Sequence, residues 1–226
     1  MSGGSRTRWI AHKQGPLLGL IVAMFVIYLL QEIAGSGWYA RFMAVPGAIA
    51  GSWHHVLAGS ASAADYRELG TLLSCALLHG SMEHVLYNML YLWIFAALAA
   101  DLLGQRWMLL IFVVSAVSGS VCHTLCNASG FIPLLGASGA VMGFEGAYLG
   151  LATRWRLPDP QVWPMTRAIP PGQLAALAVC GVLMDYVSLM SHAGGGIAYG
   201  AHLGGFAAGL FLTALAAPKP QAATAR

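Results

Sequence analysis

The stretch MEHVLYNMLYLWIFAALAAD, residues 82–101, decides how the chain folds. As a helix its twenty residues would rise about 30 Å, the thickness of a bilayer's hydrocarbon core. Its polar side chains, Glu83, His84 and Asn88, gather at one end, and Asp101 closes the other. The composition agrees with a membrane span. Of 226 residues, 58% are hydrophobic and only 8% charged, against roughly a quarter charged in a soluble domain. The net charge of +3 gives no reason to invoke nucleic acid.

Working outward, five more apolar runs have spanning length. They cover Pro16 to about Ala34, Trp107 to about Asn127, Phe131 to Thr153, Leu174 to Met190, and Ile197 to Ala217. The predicted fold is therefore all-α: a polytopic six-helix membrane bundle over 16–217. A polar N-terminal segment, 1–15, precedes it, and a tail, 218–226, expected to be disordered, follows. The first run is too long for the core of a signal peptide and no convincing cleavage site follows, so it reads as a retained helix. Charge supports six spans. With the N-terminus inside, Arg6, Arg8, Lys13, Arg106, Arg154, Arg156, Arg167, Lys219 and Arg226 fall on the inner side, and only Arg41 and Arg67 on the outer. Both termini are then cytoplasmic, and spans two, four and six run from outside to inside.

Residues 35–81 form a long, weakly charged connection that includes GAIAGSWHHVLAG. It reads as an ordered loop lying partly in the membrane interface, and long loops in compact folds tend to be functional. Residues 155–171 read as a Pro-rich cytoplasmic connector. Cys75, Cys122, Cys126 and Cys180 are scattered and read as free, buried thiols rather than a disulfide framework.

Polar groups inside apolar spans are informative because lipid does not solvate them. Three clusters open the even-numbered spans: HGSMEHVLYN (79–88), GASGAVMGFEG (136–146) and GAHLGGF (200–206). Ser138, His202 and Asn88 precede the inner charges Arg154, Lys219 and Arg106 by 16, 17 and 18 residues. These spacings correspond to about 24, 26 and 27 Å of helix. All three therefore lie in one layer below the outer surface. His84 lies one turn from Asn88 on the same face. Gly139, Gly143 and Ala147 recur every four residues, as do Ala201, Gly205 and Gly209. Small residues at this spacing let helix backbones approach closely in lipid. That approach is what a hydroxyl and an imidazole need to share a proton at about 3 Å.

Other readings compete. Ser138 in GxSG can be a packing residue, His202 a satisfied interior histidine, and His84 and Asn88 hydrogen-bonding links between helices. A metal site from His79, His84 and His202 lacks a carboxylate at ligand spacing and is not HExxH. No metal and no cofactor are expected. His54–His55 reads as an interfacial pair. Glu145 lies two turns below Ser138, about 10.5 Å away. It reads as a buried, protonated, hydrogen-bonded carboxyl rather than a third catalytic group. Together with Asp185 it offers a proton relay, which would suit a small transporter.

HGSMEHVLYNMLYLW, GASGAVMG and AHLGGFAAG, in this order on the second, fourth and sixth of six spans, resemble the rhomboid intramembrane serine proteases. The resemblance covers nearly the whole chain. It implies that Ser138 is the nucleophile and His202 its general base, with no acidic third member. It implies that His84 and Asn88 form the oxyanion hole with the Ser138 backbone N–H, with His79 in a supporting role. Gly139, Gly204 and Gly205 would allow close packing of the two catalytic helices. The partners implied are transmembrane protein substrates in the lipid of a bacterial-type inner membrane, cut where small residues and easily unwound helices occur. The sequence departs from the pattern at Met142, where many members carry a Tyr that stacks on the base. An inactive relative that only binds membrane proteins is the alternative the resemblance leaves.

Overall fold

The computed structural model describes residues 3–158, 171–190, 198–220 and 224–225. The chain is helical nearly throughout. Helix α1 (Gly3–Ala34) takes in the polar N-terminal segment as well as the first apolar run, and Pro16 lies within it. The connection 35–81 carries helices of its own. It holds α2 (Ser36–Tyr39), α3 (Pro46–Leu57), α4 (Ala63–Ser74) and short 3-10 turns at Ala40–Phe42 and Cys75–Leu77. Helix α5 (Met82–Leu103), α6 (Gln105–Cys126) and α7 (Ser138–Arg154) follow. Then come β1 (Trp155–Arg156), α8 (Pro171–Met190), α9 (Tyr199–Ala216) and β2 (Thr224–Ala225). Most of the connector 155–171 lies outside the described residues, as do 221–223 and 226 of the tail. Within that tail, β2 pairs antiparallel with β1, Trp155 opposite Ala225.

Among the described residues four helices are long and apolar enough to cross a bilayer: Gln14–Ala34, α5, α6 and α9. Helix α7 has 17 residues, and α8 carries a shorter apolar core, Gly172–Met184. The large side chains that face outward are themselves apolar. Val22, Val26, Leu29 and Ile33 line the outer face of α1, and Leu86 and Leu90 that of α5. A soluble monomer rarely exposes so continuous an apolar belt, whereas lipid solvates it.

Local signals set the helix ends. Ser81 caps α5, its hydroxyl accepting the His84 N–H at 3.1 Å. Pro46 sits in the first turn of α3. Ser62 and Asp65 form a capping box on α4. At the other end of the bundle, the Arg154 guanidinium donates to the carbonyls of Thr213 and Ala217, at 3.4 and 3.0 Å. This satisfies acceptors that the end of α9 leaves open. The guanidinium also stacks on the Trp155 ring, 4.0 Å from its centroid.

The core is built from α1, α5, α6 and α7, with Met24, Leu92, Met108, Ile111 and Phe144 fully buried. Helix α9 packs most extensively against α7 and α6. The α7–α9 seam is glycine against backbone. A Cβ on Gly205 would collide with the Gly139 carbonyl, and one on Gly209 with the Gly143 carbonyl. Matching residues advance together along α7 and α9, so these two helices run parallel. Along α6 and α9 they advance in opposite senses, from Gly119 by Ala201 and Gly205 to His123 by Gly200. The cysteines are free, but only Cys75 is buried, while Cys126 and Cys180 are exposed. In an apolar run an outward-facing thiol meets lipid, which is why apolar context alone did not imply burial.

Candidate active site

Ser138 is the first residue of α7, and its environment is set by the irregular backbone ahead of it. Residues 127–137 are held on three sides. Ala44 and Leu134 exchange backbone hydrogen bonds of 3.1 and 2.7 Å, and the Gly47 N–H donates to the Gly130 carbonyl at 2.8 Å. The Gly136 N–H donates to the Cys75 carbonyl at 2.9 Å. The connection 35–81 thus forms one wall of the loop that delivers Ser138. At a helix start the first backbone N–H groups have no partner within the helix and lie at the positive end of its dipole. The Ser138 N–H is one of them.

Gly136 has φ +122°, a conformation that side-chain-bearing residues rarely adopt. It also has no space for a side chain. A Cβ there would lie 2.7 Å from His84 Cε1, 2.8 Å from His84 Nε2 and 3.8 Å from Asn88 Nδ2. The His84 imidazole and the Asn88 amide are therefore packed directly against the turn that precedes Ser138. Gly80 N–H donates to His84 Nδ1 in a long bond of 3.4 Å. A neutral imidazole that accepts at Nδ1 carries its proton on Nε2. The Nε2 edge is the one facing Gly136. Asn88 is buried, and its Nδ2 has no protein hydrogen-bond partner among the described residues. Two donor groups are thereby packed beside the turn that precedes α7.

On the other side, Gly139 meets α9. A Cβ on Gly139 would lie 3.1 Å from the Ala201 carbonyl oxygen. The residues following Ser138 and preceding His202 are thus in contact across the α7–α9 seam. His202 is within electrostatic reach of both His84 and His123. The Tyr199 ring stands edge-on to the His202 ring, with centroids 6.4 Å apart and planes at 84°. His79 is buried, its ring edge-on to that of His84 at 5.1 Å.

Gly139 and Gly205 lie in the α7–α9 seam, and Gly204 lies outside it. It faces α6, where a Cβ would collide with Cys122 and lie 2.8 Å from the Ser118 carbonyl oxygen. Successive helical residues point about 100° apart, so neighbours cannot both face the same helix. Glu145 is buried and its Oε2 lies 3.7 Å from where a Gly181 Cβ would stand, so it faces α8 rather than Ser138. Met142 reaches the same α8 glycine, at 3.9 Å. The side chain of Asp185 lies outside the described residues. Among the described residues no group of His, Cys, Asp and Glu has a metal-binding arrangement. His54 remains an exposed residue near the end of α3, whereas His55 bonds Asp65 of α4 at 2.7 Å.

Sequence reading missed three residues near the site: Gln31, His123 and Tyr199. Gln31 is a polar residue in an apolar span, a signal that was there to be used. His123 and Tyr199 are marked only by proximity in the fold.

An all-helical bundle with several bilayer-length apolar helices, with Ser138, His202, His84 and Asn88 near the starts of α7, α9 and α5, defines a multi-pass membrane protein. A family model described as the rhomboid domain matches residues 66–219, and the chain belongs to the rhomboid family. It is similar to proteins named Rhomboid protease GlpG. That of Yersinia pestis (strain Pestoides F) is 30% identical over 201 residues, covering 88% of this chain and 62% of the relative. That of Yersinia enterocolitica is 28% identical over 201 residues, covering 88% and 62%. That of Pectobacterium atrosepticum is 26% identical over 204 residues, covering 90% and 63%. The chain thus spans a little under two thirds of the length of these relatives.

Proposed function

We propose that this protein is an intramembrane serine endopeptidase that cleaves transmembrane protein substrates near the outer ends of their helices. The chain crosses the membrane six times, through α1 and α5–α9, with both termini cytoplasmic. The connection 35–81 lies partly in the interface of a bacterial-type inner membrane. The observation that carries the reading is the pairing of His84 Nε2 and the unpartnered Asn88 Nδ2 against Gly136, two residues before Ser138. Donors placed beside a helix start that presents a serine fit a developing oxyanion better than they fit inter-helix linking, which would leave neither unpaired.

In this reading His202 takes the Ser138 hydroxyl proton as the oxygen attacks the substrate carbonyl carbon. The negative charge that develops on the carbonyl oxygen is met by His84 Nε2–H, Asn88 Nδ2–H and the Ser138 N–H. When the tetrahedral intermediate collapses, the C–N bond breaks and His202 gives its proton to the leaving amine. A Ser138 ester remains. His202 then deprotonates a water that attacks the ester, and the acid product leaves as Ser138 regains its proton. A dyad lacks the carboxylate that fixes the base's tautomer in a triad, so slow turnover is expected.

The test is cleavage of a single-span model substrate by purified protein in bilayer or detergent. Ser138→Ala and His202→Ala should each abolish cleavage while the protein remains folded and inserted. Cleavage persisting in either variant would contradict the mechanism. Glu145, facing α8, lies away from this chemistry, and Glu145→Gln should leave cleavage in place.

A further inference from the structure

We propose that Gln31 of α1 is a positioning residue for the oxyanion donor His84, an assignment that rests on the role given to His84 above. Gln31 is 3% exposed in the last turn of α1, beside the exposed Glu32. Its amide is engaged twice by one residue 48 positions away. Nε2 donates to the His79 carbonyl at 3.1 Å. Oε1 accepts the His79 N–H at 3.2 Å. Two bonds to the backbone N–H and C=O of one residue fix its position and rotation, as a neighbouring strand would. Burial means water cannot take over either bond cheaply.

From His79 the constraint reaches His84 by two routes. The His79 ring stands edge-on to the His84 ring, with centroids 5.1 Å apart and planes at 73°. The next residue, Gly80, donates its N–H to His84 Nδ1. The first route sets the plane of the imidazole. The second sets its tautomer, placing the proton on Nε2, toward Gly136. Both hydrogen bonds of the Gln31 amide go to His79 and neither to Ser138 or the Gly136 turn. Its influence on the reaction therefore passes through His84, and removing it leaves the His84 donor present but free to rotate or to change tautomer.

This predicts coupling rather than a simple loss of stability. Gln31→Leu should lower kcat about tenfold with KM within about twofold, the pattern of a donor used only in the transition state. In a His84→Ala background, Gln31→Leu should cost nothing further, because the donor it orients is gone. Gln31→Glu keeps an acceptor for the His79 N–H and should retain more activity than Gln31→Leu. The second readout does not depend on activity. Nitrogen-15 NMR of the histidine rings should report an Nε2-protonated His84 in wild type and a mixture of tautomers in Gln31→Leu. Losses that multiply in the double variant, or a His84 signal unmoved by Gln31→Leu, overturn the proposal. If wild type fails to cleave but the His84 signal moves with Gln31, the protease reading falls while the hold of Gln31 on His84 stands. Should Gln31→Leu not fold, the same comparisons are made with Gln31→Glu.

Discussion

The His84 imidazole lies so close to Gly136 that a Cβ on the glycine would stand 2.8 Å from Nε2. This contact joins the first turn of α5 to the turn that starts α7, and it makes Gly136 a precise test of the site. Gly136→Ala meets two penalties at once: a φ of +122° and a collision with the imidazole. The helices are unchanged, so the damage is local. The expected outcome is a fall of about 10²-fold in kcat, the scale of losing one oxyanion donor, with circular dichroism and insertion unaltered. Unchanged kcat would mean that His84 is not held against this turn.

The α7–α9 seam predicts a different signature. Gly205 abuts the Gly139 carbonyl, which is backbone and cannot swing away. Gly205→Ala should destabilise the protein by about 1–3 kcal/mol, the usual cost of overpacking, and lower cleavage because it separates the helices that carry Ser138 and His202. Gly51→Ala serves as the control. A Cβ there meets nothing within 4 Å. Thermal unfolding of the two variants in the same detergent checks the contrast.

Cys75 separates buried from merely apolar thiols. Burial pushes its thiol up to about 11, with Ser120 Oγ 3.3 Å from its sulfur. At pH 8 it is protonated and shielded. Thiol reagents small enough to partition into detergent should modify Cys126 and Cys180 and spare Cys75 until the protein unfolds. Mass spectrometry of the labelled peptides reads this directly.

The α3–α4 hairpin should weaken in acid. The hydrogen bond from the Ser62 hydroxyl, followed by the contact with His55, holds the Asp65 carboxyl well below the usual carboxylate range. A lowered native pKa stabilises the folded state above the unfolded value, near 4, and that stabilisation declines as pH falls further. Asp65→Asn should therefore raise amide exchange over residues 46–74 at neutral pH. The difference from wild type should shrink as the pH is lowered below about 4. A difference that stays constant with pH would remove Asp65 ionisation from the account.

Much of this architecture could be read before the fold was seen, because a bilayer constrains sequence severely. Helix α5 occupies 82–103 where 82–101 was predicted, since hydrocarbon thickness fixes apolar length. The four-residue recurrence of Gly139 and Gly143 with Gly205 and Gly209 marked the seam, because only small residues permit that approach. The errors have equally physical sources. Gly204 was assigned to the seam beside Gly205, but one residue is about 100° of helix, enough to turn it toward α6. The hold of Gln31 on His79 spans 48 residues and goes through backbone, so no local pattern announces it. The Ser62–Asp65 capping box was legible as SxxD ahead of a helix, yet in a segment read only as a loop it passed unused. The pairing of Thr224–Ala225 with Trp155–Arg156 carries no signal in a tail of small and polar residues.

The central claim is that Ser138 is an activated nucleophile, and it can be measured without knowing the natural substrate. Wild-type protein, Ser138→Ala and His202→Ala are each treated with a fluorophosphonate, and the modified residue is mapped by mass spectrometry. The account predicts a single adduct on Ser138 in wild type, none in Ser138→Ala, and strongly slowed labelling in His202→Ala. Equal labelling of wild type and Ser138→Ala, or an adduct on another residue alone, would contradict it.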